Sequence, residues 1–541
     1  RNWKFLVVSV TCHSYYFPIK KIPTFKMFGV VNFFSFLLLL TLALLPSSLS
    51  LANCPAGCDC DDDTLVVQCD ESRLDVLPIA LNPSIQRLVI RNNKIKTVDS
   101  SIQFYAELHF LDLSSNHLLN IPPKTFDHQH KLQELHLNHN KISMVHNKTF
   151  QGLNSLTVLN LRENIIEELG ASVFGVLPRL EELNLGQNRL TKIDPQAFNG
   201  LMSLRVLYLD DNQLTSVPTA SFQFLPGLAE LHVGLNSFSM LPEDAFKGLQ
   251  KLSVLDVRGA ALTNVSSGAF NGLGALRSLD LSGNSLSVIP TQELSGLVRL
   301  ETLSLGQNQF ETIPARAFRG LVNLRRLDIT AAQNLKRVER DAFADNLNLE
   351  NLILASNKRL SVIEDGSLAG LPNLKHLVLK ENAFESFPES LLSWSELKRL
   401  ELTDNPLLCD CALLWLRELL AERNFTSAQC HGPKHVRERH LRTVSAEELG
   451  CARTDPRQQA LVGAIVVGGA ALLTALLLLL YRYRRRVQEA LKDYRLGQRS
   501  AMSRKEHEYQ KTFSEDEYAA ARRYPQLPPP PIHRPVPVTE L

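Results

Sequence analysis

Apolar and polar positions along the chain follow one short motif that recurs fourteen times. Each copy reads L-x-x-L-x-L-x-x-N-x-L, as between Leu180 and Leu190, and most copies start 24 residues apart. The alternating apolar positions predict a short strand with inward-facing side chains. Because one strand cannot bury its apolar side alone, the fixed interval predicts strands stacked into one parallel sheet. The copies start at residues 85, 108, 132, 156, 180, 204, 228, 252, 276, 300, 324, 349, 374 and 397.

Asparagine and phenylalanine also recur at fixed places. Asparagine lies eight residues after the start in twelve copies, where its amide is suited to pairing backbone groups left open at the strand end. Ala260 and Ala332 replace it in the other two copies, which predicts a local irregularity there, with neutral drift as the alternative. Phenylalanine, predicted to fill the opposite side of each coil, lies eighteen residues after the start at residues 126, 150, 174, 198, 222, 246, 270 and 318.

The repeats are bounded by two apolar segments. Residues 33–45 form an uncharged run that is too short to cross a bilayer and is followed by small residues up to Ala52. This pattern predicts a signal peptide over residues 27–52. Because the first methionine is Met27, residues 1–26 are interpreted as an untranslated upstream extension, with a long basic leader as the alternative.

The second apolar segment, residues 460–480, predicts a transmembrane helix, since its 21 uncharged residues extend about 31 Å. An arginine cluster follows directly, and such clusters remain cytoplasmic. We therefore expect a single-pass type I protein of the plasma membrane. Residues 453–459 would form a juxtamembrane linker, and residues 481–541 a disordered cytoplasmic tail, because that segment is polar, charged and proline-rich.

Charge and composition exclude several functions. The chain has 58 basic and 56 acidic side chains, but residues 53–480 alone carry a net charge of −8. This region would repel phosphate, so we expect no nucleic-acid partner. The histidines lie in different repeats, and no phosphate loop or nucleophile motif occurs, so the sequence predicts no enzyme, no catalytic residue, no metal and no cofactor.

Eight cysteines remain once Cys12 is removed with the leader, four on each side of the repeats. In a cytosolic protein zinc would be an alternative, but a secreted chain favours disulfides. Spacing alone leaves their connectivity open. The two groups are Cys54, Cys58, Cys60 and Cys69, then Cys409, Cys411, Cys430 and Cys451.

The motif and its flanking cysteines resemble the extracellular typical class of leucine-rich-repeat proteins over roughly residues 53–452. The resemblance implies an α/β-type solenoid, a horseshoe of about 14 repeats, with short parallel strands on one side and an irregular or 3-10 convex side. Its repeats would occupy residues 85–407, between a cap at residues 53–84 and a cap at residues 408–452. It also implies the pairs Cys54–Cys60, Cys58–Cys69, Cys409–Cys430 and Cys411–Cys451.

Function is expected on the exposed, concave strand face, at positions four and six residues after each start. Neighbouring strands lie ~4.8 Å apart, so an aromatic side chain meets polar and charged side chains there. Such a mixture is typical of protein-binding anchors, although an ordinary solvated face is the alternative. The predicted ligand residues are Tyr208, Asp210, His232, Asp256 and Arg258. The glycosylation acceptors Asn147, Asn264 and Asn424 all lie away from this face.

The tail contains two candidate docking motifs for cytoplasmic scaffolds. Arg522, Pro525 and Pro528 fit R-x-x-P-x-x-P, which SH3 domains bind, and the adjacent prolines resemble EVH1 ligands. A plain spacer is the alternative for both. The final residues Thr539, Glu540 and Leu541 resemble a class I PDZ ligand.

This layout resembles single-pass leucine-rich-repeat adhesion and recognition receptors. The sequence therefore predicts a cell-surface receptor for a protein ligand, including a second copy of itself, with scaffolds bound to its tail. The alternative is an accessory subunit or co-receptor that modulates another membrane protein, such as a channel or a receptor.

Overall fold

The computed structural model describes residues 53–425, 428–451 and 456–502. The chain divides into two units, one ending at Cys451 and one beginning at Ala452. The signal peptide, the SH3-type motif and the PDZ-type terminus lie outside the described residues.

The first unit is built on one sheet of sixteen strands. Fourteen of them are the predicted repeat strands, paired in parallel with their central leucines in register, as at Leu183, Leu207 and Leu231. The predicted solenoid is thereby confirmed. The strands are Asp59–Asp61, Val66–Gln68, Arg87–Val89, Phe110–Asp112, Glu134–His136, Val158–Asn160, Glu182–Asn184, Val206–Tyr208, Glu230–His232, Val254–Asp256, Ser278–Asp280, Thr302–Ser304, Arg326–Asp328, Asn351–Ile353, His376–Val378 and Arg399–Glu401.

The opposite side of the coils is irregular, as predicted. Short parallel pairs alternate there with single helical turns. The short strands are Glu168–Leu169, Lys192–Ile193, Met240–Leu241, Asn264–Val265, Thr312–Ile313, Arg337–Val338 and Val362–Ile363. The helical turns are α-helical at Thr219–Phe222 and Thr291–Leu294 and 3-10 at Ser100–Phe104, Glu389–Leu391 and Trp394–Glu396.

Leucines and phenylalanines fill one continuous core. The recurring phenylalanines are buried and stack from coil to coil, with ring centroids 6.4 Å apart between Phe222 and Phe246 and between Phe246 and Phe270. Leu294 takes this place in the following coil, and Phe343 continues the stack beyond Phe318 at 5.7 Å. Each coil therefore packs mainly on its two neighbours, as expected for a repeat solenoid.

The asparagines form a buried ladder between coils. The Asn188 side-chain amide donates to the carbonyls of Leu161 at 3.0 Å and Leu185 at 3.1 Å, and its Oδ1 accepts from the Ile166 amide at 3.1 Å. Each asparagine thus ties its own coil to the preceding one.

The two copies without asparagine depart from this form in different ways. Beside Ala260 the backbone enters the left-handed region twice, at Gly259 (φ 61°) and Ala261 (φ 60°). The Ala332 backbone amide, eight residues after its motif start, donates to Asn357 Oδ1 at 2.7 Å. In copies of regular length the donor lies ten residues after the motif start, as Ile166 does. Asn357 donates to Asn382 in the same way. The change near Ala332 therefore follows the 25-residue repeats there rather than the alanine itself.

Both ends of the solenoid are covered. An antiparallel hairpin of Asp59–Asp61 and Val66–Gln68 extends the sheet at the first end. The last end carries the helix Leu414–Glu422, the 3-10 turns Cys411–Leu413 and Leu441–Thr443, and the strand pair Leu407–Leu408 with Cys430–Gly432. The disulfides are Cys54–Cys60, Cys58–Cys69, Cys409–Cys430 and Cys411–Cys451, the same pairs that the resemblance implies.

The described residues of the second unit form one helix, Pro456–Met502. Its stretch Ala460–Lys492 is long and apolar enough to cross a membrane, by length and composition. Two boundaries from the sequence are corrected. Residues 456–459 belong to the helix and not to a linker, and residues 481–502 are helical where the sequence predicted disorder. The disorder prediction counted charge and proline, but the prolines begin only at Pro525, and the residues before Met502 favour helix.

Candidate functional site

The exposed face of the sixteen-stranded sheet, called here the sheet face, brings together the predicted ligand residues. Parallel pairing places Tyr208, His232 and Asp256 side by side on three neighbouring strands. The Tyr208 and His232 rings stack with centroids 4.7 Å apart and planes 14° from parallel. Both rings remain partly accessible, so the stack presents a rigid aromatic surface to solvent.

Asp256 positions its neighbours and offers little surface of its own. Its Oδ2 lies 3.4 Å from both His232 Nδ1 and Arg258 Nε, and its Oδ1 accepts from the Arg258 backbone amide at 3.0 Å. The residue is only 7% exposed. Asp256 therefore orients His232 and Arg258, and its role as a ligand residue stays a prediction.

Asp210 is supported from two strands away. Arg162 Nη1 donates to Asp210 Oδ2 at 3.1 Å and to Oδ1 at 3.3 Å, passing over the intervening strand end at Gly186. A Cβ at Gly186 would overlap the Arg162 guanidinium and lie 2.7 Å from Asp210 Oδ1. Asp210 is also 7% exposed. The ion pair therefore depends on glycine at residue 186.

Three carboxylates make the electrostatic potential at Tyr208 negative. Burial raises the pKa of the Tyr208 phenol above its ordinary value, and the carboxylates of Glu182, Glu230 and Asp210 raise it further, against a smaller opposing effect of Arg162. The hydroxyl therefore stays protonated at neutral pH and is available as a hydrogen-bond donor.

The sequence missed a third row of exposed side chains, two residues after each motif start. Phe110 in this row is half-buried, with the Arg87 guanidinium 3.5 Å from its ring centroid. The His136 ring lies 5.1 Å from the Phe110 ring, centroid to centroid. Side chains in a strand alternate between its two faces, so positions two, four and six after each motif start share the exposed face. Applying this alternation to the sequence would have identified the third row.

The three sequon asparagines, Asn147, Asn264 and Asn424, are all exposed. None of them belongs to a strand of the sixteen-stranded sheet, and Asn264 lies in the short pair on the opposite side. Asn424 Oδ1 accepts from Arg442 at 3.5 Å. Glycosylation at these sites remains a prediction.

A known family model accounts for most of this architecture. The model described as "Leucine rich repeat" matches residues 106–166, 155–214, 202–261, 226–286, 250–310, 283–334, 299–358 and 347–407. These matches overlap and together cover residues 106–407, more than half of the 541 residues. The chain belongs to the leucine-rich-repeat family.

Individual proteins match this leucine-rich-repeat chain over shorter lengths. Reticulon-4 receptor-like 2 from Homo sapiens is 38% identical over 118 residues, which is 22% of this chain and 28% of that protein. Lumican from Homo sapiens is 32% identical over 131 residues, which is 20% of this chain and 38% of lumican. The chain thus spans well under half the length of either curated relative.

Among solved structures, the chain resembles one in the TLR13–ssRNA13 complex, with a TM-score of 0.51 and 24% identity. The match covers 65% of this chain and 59% of that one. At this identity it supports the fold alone.

Proposed function

We propose that this protein is a single-pass plasma-membrane receptor that binds a protein partner through its sheet face. The observation that carries the proposal is the Tyr208–His232 stack, which Asp256 contacts from the next strand and which lies beside the Arg162–Asp210 pair. Rigid aromatic surface ringed by oriented polar groups is typical of the centre of a protein interface. The similarity to a receptor-like relative and the apolar helix Ala460–Lys492 support this placement.

A cell-binding experiment tests the proposal. Cells that display the full chain are treated with a proximity-labelling reagent, and they are also mixed with unlabelled cells to score clustering. In the double variant Tyr208→Ala/His232→Ala, the amount of labelled partner or the number of cell clusters should fall at least tenfold. The reason is that central aromatic residues contribute about 2 kcal/mol or more to binding. Met202→Ala is the matched control, because Met202 is exposed and lies outside the sheet strands.

The outcomes separate the two classes of function. Clustering of cells in trans supports adhesion or recognition, including recognition of a second copy of the chain. Co-purification of one membrane complex without clustering supports the accessory subunit or co-receptor. If the ring variant and the Met202 control behave alike in both assays, the sheet face is not the binding surface.

We further propose that the tail docks a cytoplasmic scaffold through Thr539, Glu540 and Leu541, with Arg522, Pro525 and Pro528 as a second site for an SH3 or EVH1 domain. A PDZ domain holds the terminal carboxylate with backbone amides and the last side chain in a pocket. Deleting Leu541 should therefore abolish binding to a PDZ-domain panel. Unchanged binding of the deletion variant would exclude this mode of docking.

A further inference from the structure

Two carboxylates on the sheet face have no ionic partner among the residues that the structure describes, unlike their neighbours Asp210 and Asp256. Glu182 and Glu230 lie on the strands on either side of Val206, in register with it, and both are half-buried. Strand spacing places their Cα atoms ~9.6 Å apart. Across residues 53–425, 428–451 and 456–502, neither side chain makes a hydrogen bond or an ion pair.

Nearby acids are already engaged. Asp210 pairs with Arg162, and Asp256 pairs with His232 and Arg258. Outward side chains two, four and six residues after the motif start, in the six repeats that begin at residues 132 to 252, include five acidic and two basic groups, a net charge of −3 with histidine neutral. This part of the face is therefore complementary to a cation, and the unengaged charge is concentrated beside Tyr208.

The aromatic stack lies two residues further along the same strands, next to these carboxylates. Tyr208 follows Val206 by two residues on the same face of its strand, and His232 follows Glu230 in the same way. Negative charge at Glu182 and Glu230 strengthens the attraction of a cation to the ring face. A guanidinium is planar, stacks on such rings and donates to carboxylates through several N–H groups at once. An ammonium ion lacks the planar stacking surface.

We propose that Glu182, Tyr208, Glu230 and His232, the ring–carboxylate patch, receive an arginine side chain of the partner protein. The guanidinium packs on the face of the Tyr208 ring that His232 leaves uncovered and donates to one or both carboxylates. Asp256 orients His232 within the patch, and the Arg162–Asp210 pair lies beside the patch on the same face. This inference rests on the proposed function, because it names the chemistry of the partner at that surface.

The test uses the full chain in phosphatidylcholine nanodiscs and a fluorescein-labelled nona-arginine peptide, with binding followed by fluorescence anisotropy. Replacing both carboxylates in Glu182→Gln/Glu230→Gln should weaken binding about fivefold, as expected for two partly exposed ion pairs. Tyr208→Leu should weaken it about threefold through loss of the cation–π contact. A nona-lysine peptide should bind the unmodified chain more weakly than nona-arginine, and Tyr208→Leu should remove this difference.

The matched control is Glu243→Gln/Glu418→Gln, which removes two exposed carboxylates away from the sheet strands. It should change binding less than twofold at 150 mM salt, where exposed charges are screened within about 8 Å. Glutamine keeps the size of glutamate, and circular dichroism checks that each variant is folded. Equal losses in the control and the patch variants would overturn the proposal, and so would equal binding of the two peptides with no effect of Tyr208→Leu. A cell-surface search that finds no partner would refute the proposed function but would leave the peptide result unchanged.

Discussion

The buried asparagine ladder makes a quantitative prediction at Asn188. Asn188→Ala removes one donor to each of the Leu161 and Leu185 carbonyls and the acceptor of the Ile166 amide. The Leu161 carbonyl still accepts from Asn164 at 3.0 Å and the Leu185 carbonyl from Asn212 at 3.0 Å. The Ile166 amide is therefore the buried group that is left open, at about 1–3 kcal/mol. The expected loss in the free energy of unfolding is about 2 kcal/mol.

The assay needs a local measurement as well as a global one, because repeat solenoids can unfold in parts. Urea unfolding followed by circular dichroism gives the overall loss. Hydrogen exchange followed by mass spectrometry gives the protection of the Ile166 amide, which should fall by about two orders of magnitude. Asn199→Ala is the control, since Asn199 is exposed, and it should change stability by less than about 0.5 kcal/mol.

The reasoning would be refuted if Asn188→Ala and Asn199→Ala unfolded at the same urea concentration, or if Ile166 kept its protection. The natural alanine at residue 260 is no counterexample. Its backbone is already different, with Gly259 and Ala261 both in the left-handed region, so the coil there does not present the same set of groups to an amide.

Two further predictions concern glycine and charge. Gly186→Ala should separate Arg162 from Asp210 and lower the free energy of unfolding of the first unit by about 1–2 kcal/mol, measured by urea unfolding. Gly370→Ala is the control and should leave that free energy unchanged, because a Cβ there meets nothing within 4 Å. Glu448 accepts a hydrogen bond from Arg439 at 2.6 Å. This bond, together with a second one from the Ser445 backbone amide, lowers the pKa of Glu448 from 4.5 to about 2. Because the folded pKa is depressed, the stabilisation is complete above pH 4.5 and is lost as pH falls toward 2. Glu448→Gln should flatten that acid loss, measured as proteolysis of the C-terminal cap; an unchanged pH profile would contradict the assignment.

Much of the fold could be predicted because the motif determines it locally. The leucine at the centre of each strand and the asparagine after it recur at one spacing, and the strands pair in that register, as at Leu183 and Leu207. Periodicity sets which residues point inward, and burial follows from it. This spacing changes at Ala332, where the donor to the next asparagine lies two positions earlier, in the first of two successive 25-residue repeats.

The helical extension shows a different limit. The arginine cluster after residue 480 marks the end of the uncharged stretch, and the sequence took that as the end of the helix. Membrane crossing depends on hydrophobicity, but helix formation depends on backbone hydrogen bonds and on propensity, and arginine is a favourable helix former. The helix therefore continues to Met502. Composition located the apolar stretch but not the end of the secondary structure.

The candidate site could be located but not resolved into roles. Register alone places Tyr208 beside His232, and the two do stack. The sequence could not indicate that Asp210 would be buried under Arg162, because that contact spans two repeats and depends on the absence of a side chain at Gly186. The partner of a long side chain depends on its length and on the free space around it, as well as on the order of the strands. The repeat pattern thus identifies Asp210 as an outward-facing residue, but only the structure shows that Arg162 pairs with its carboxylate.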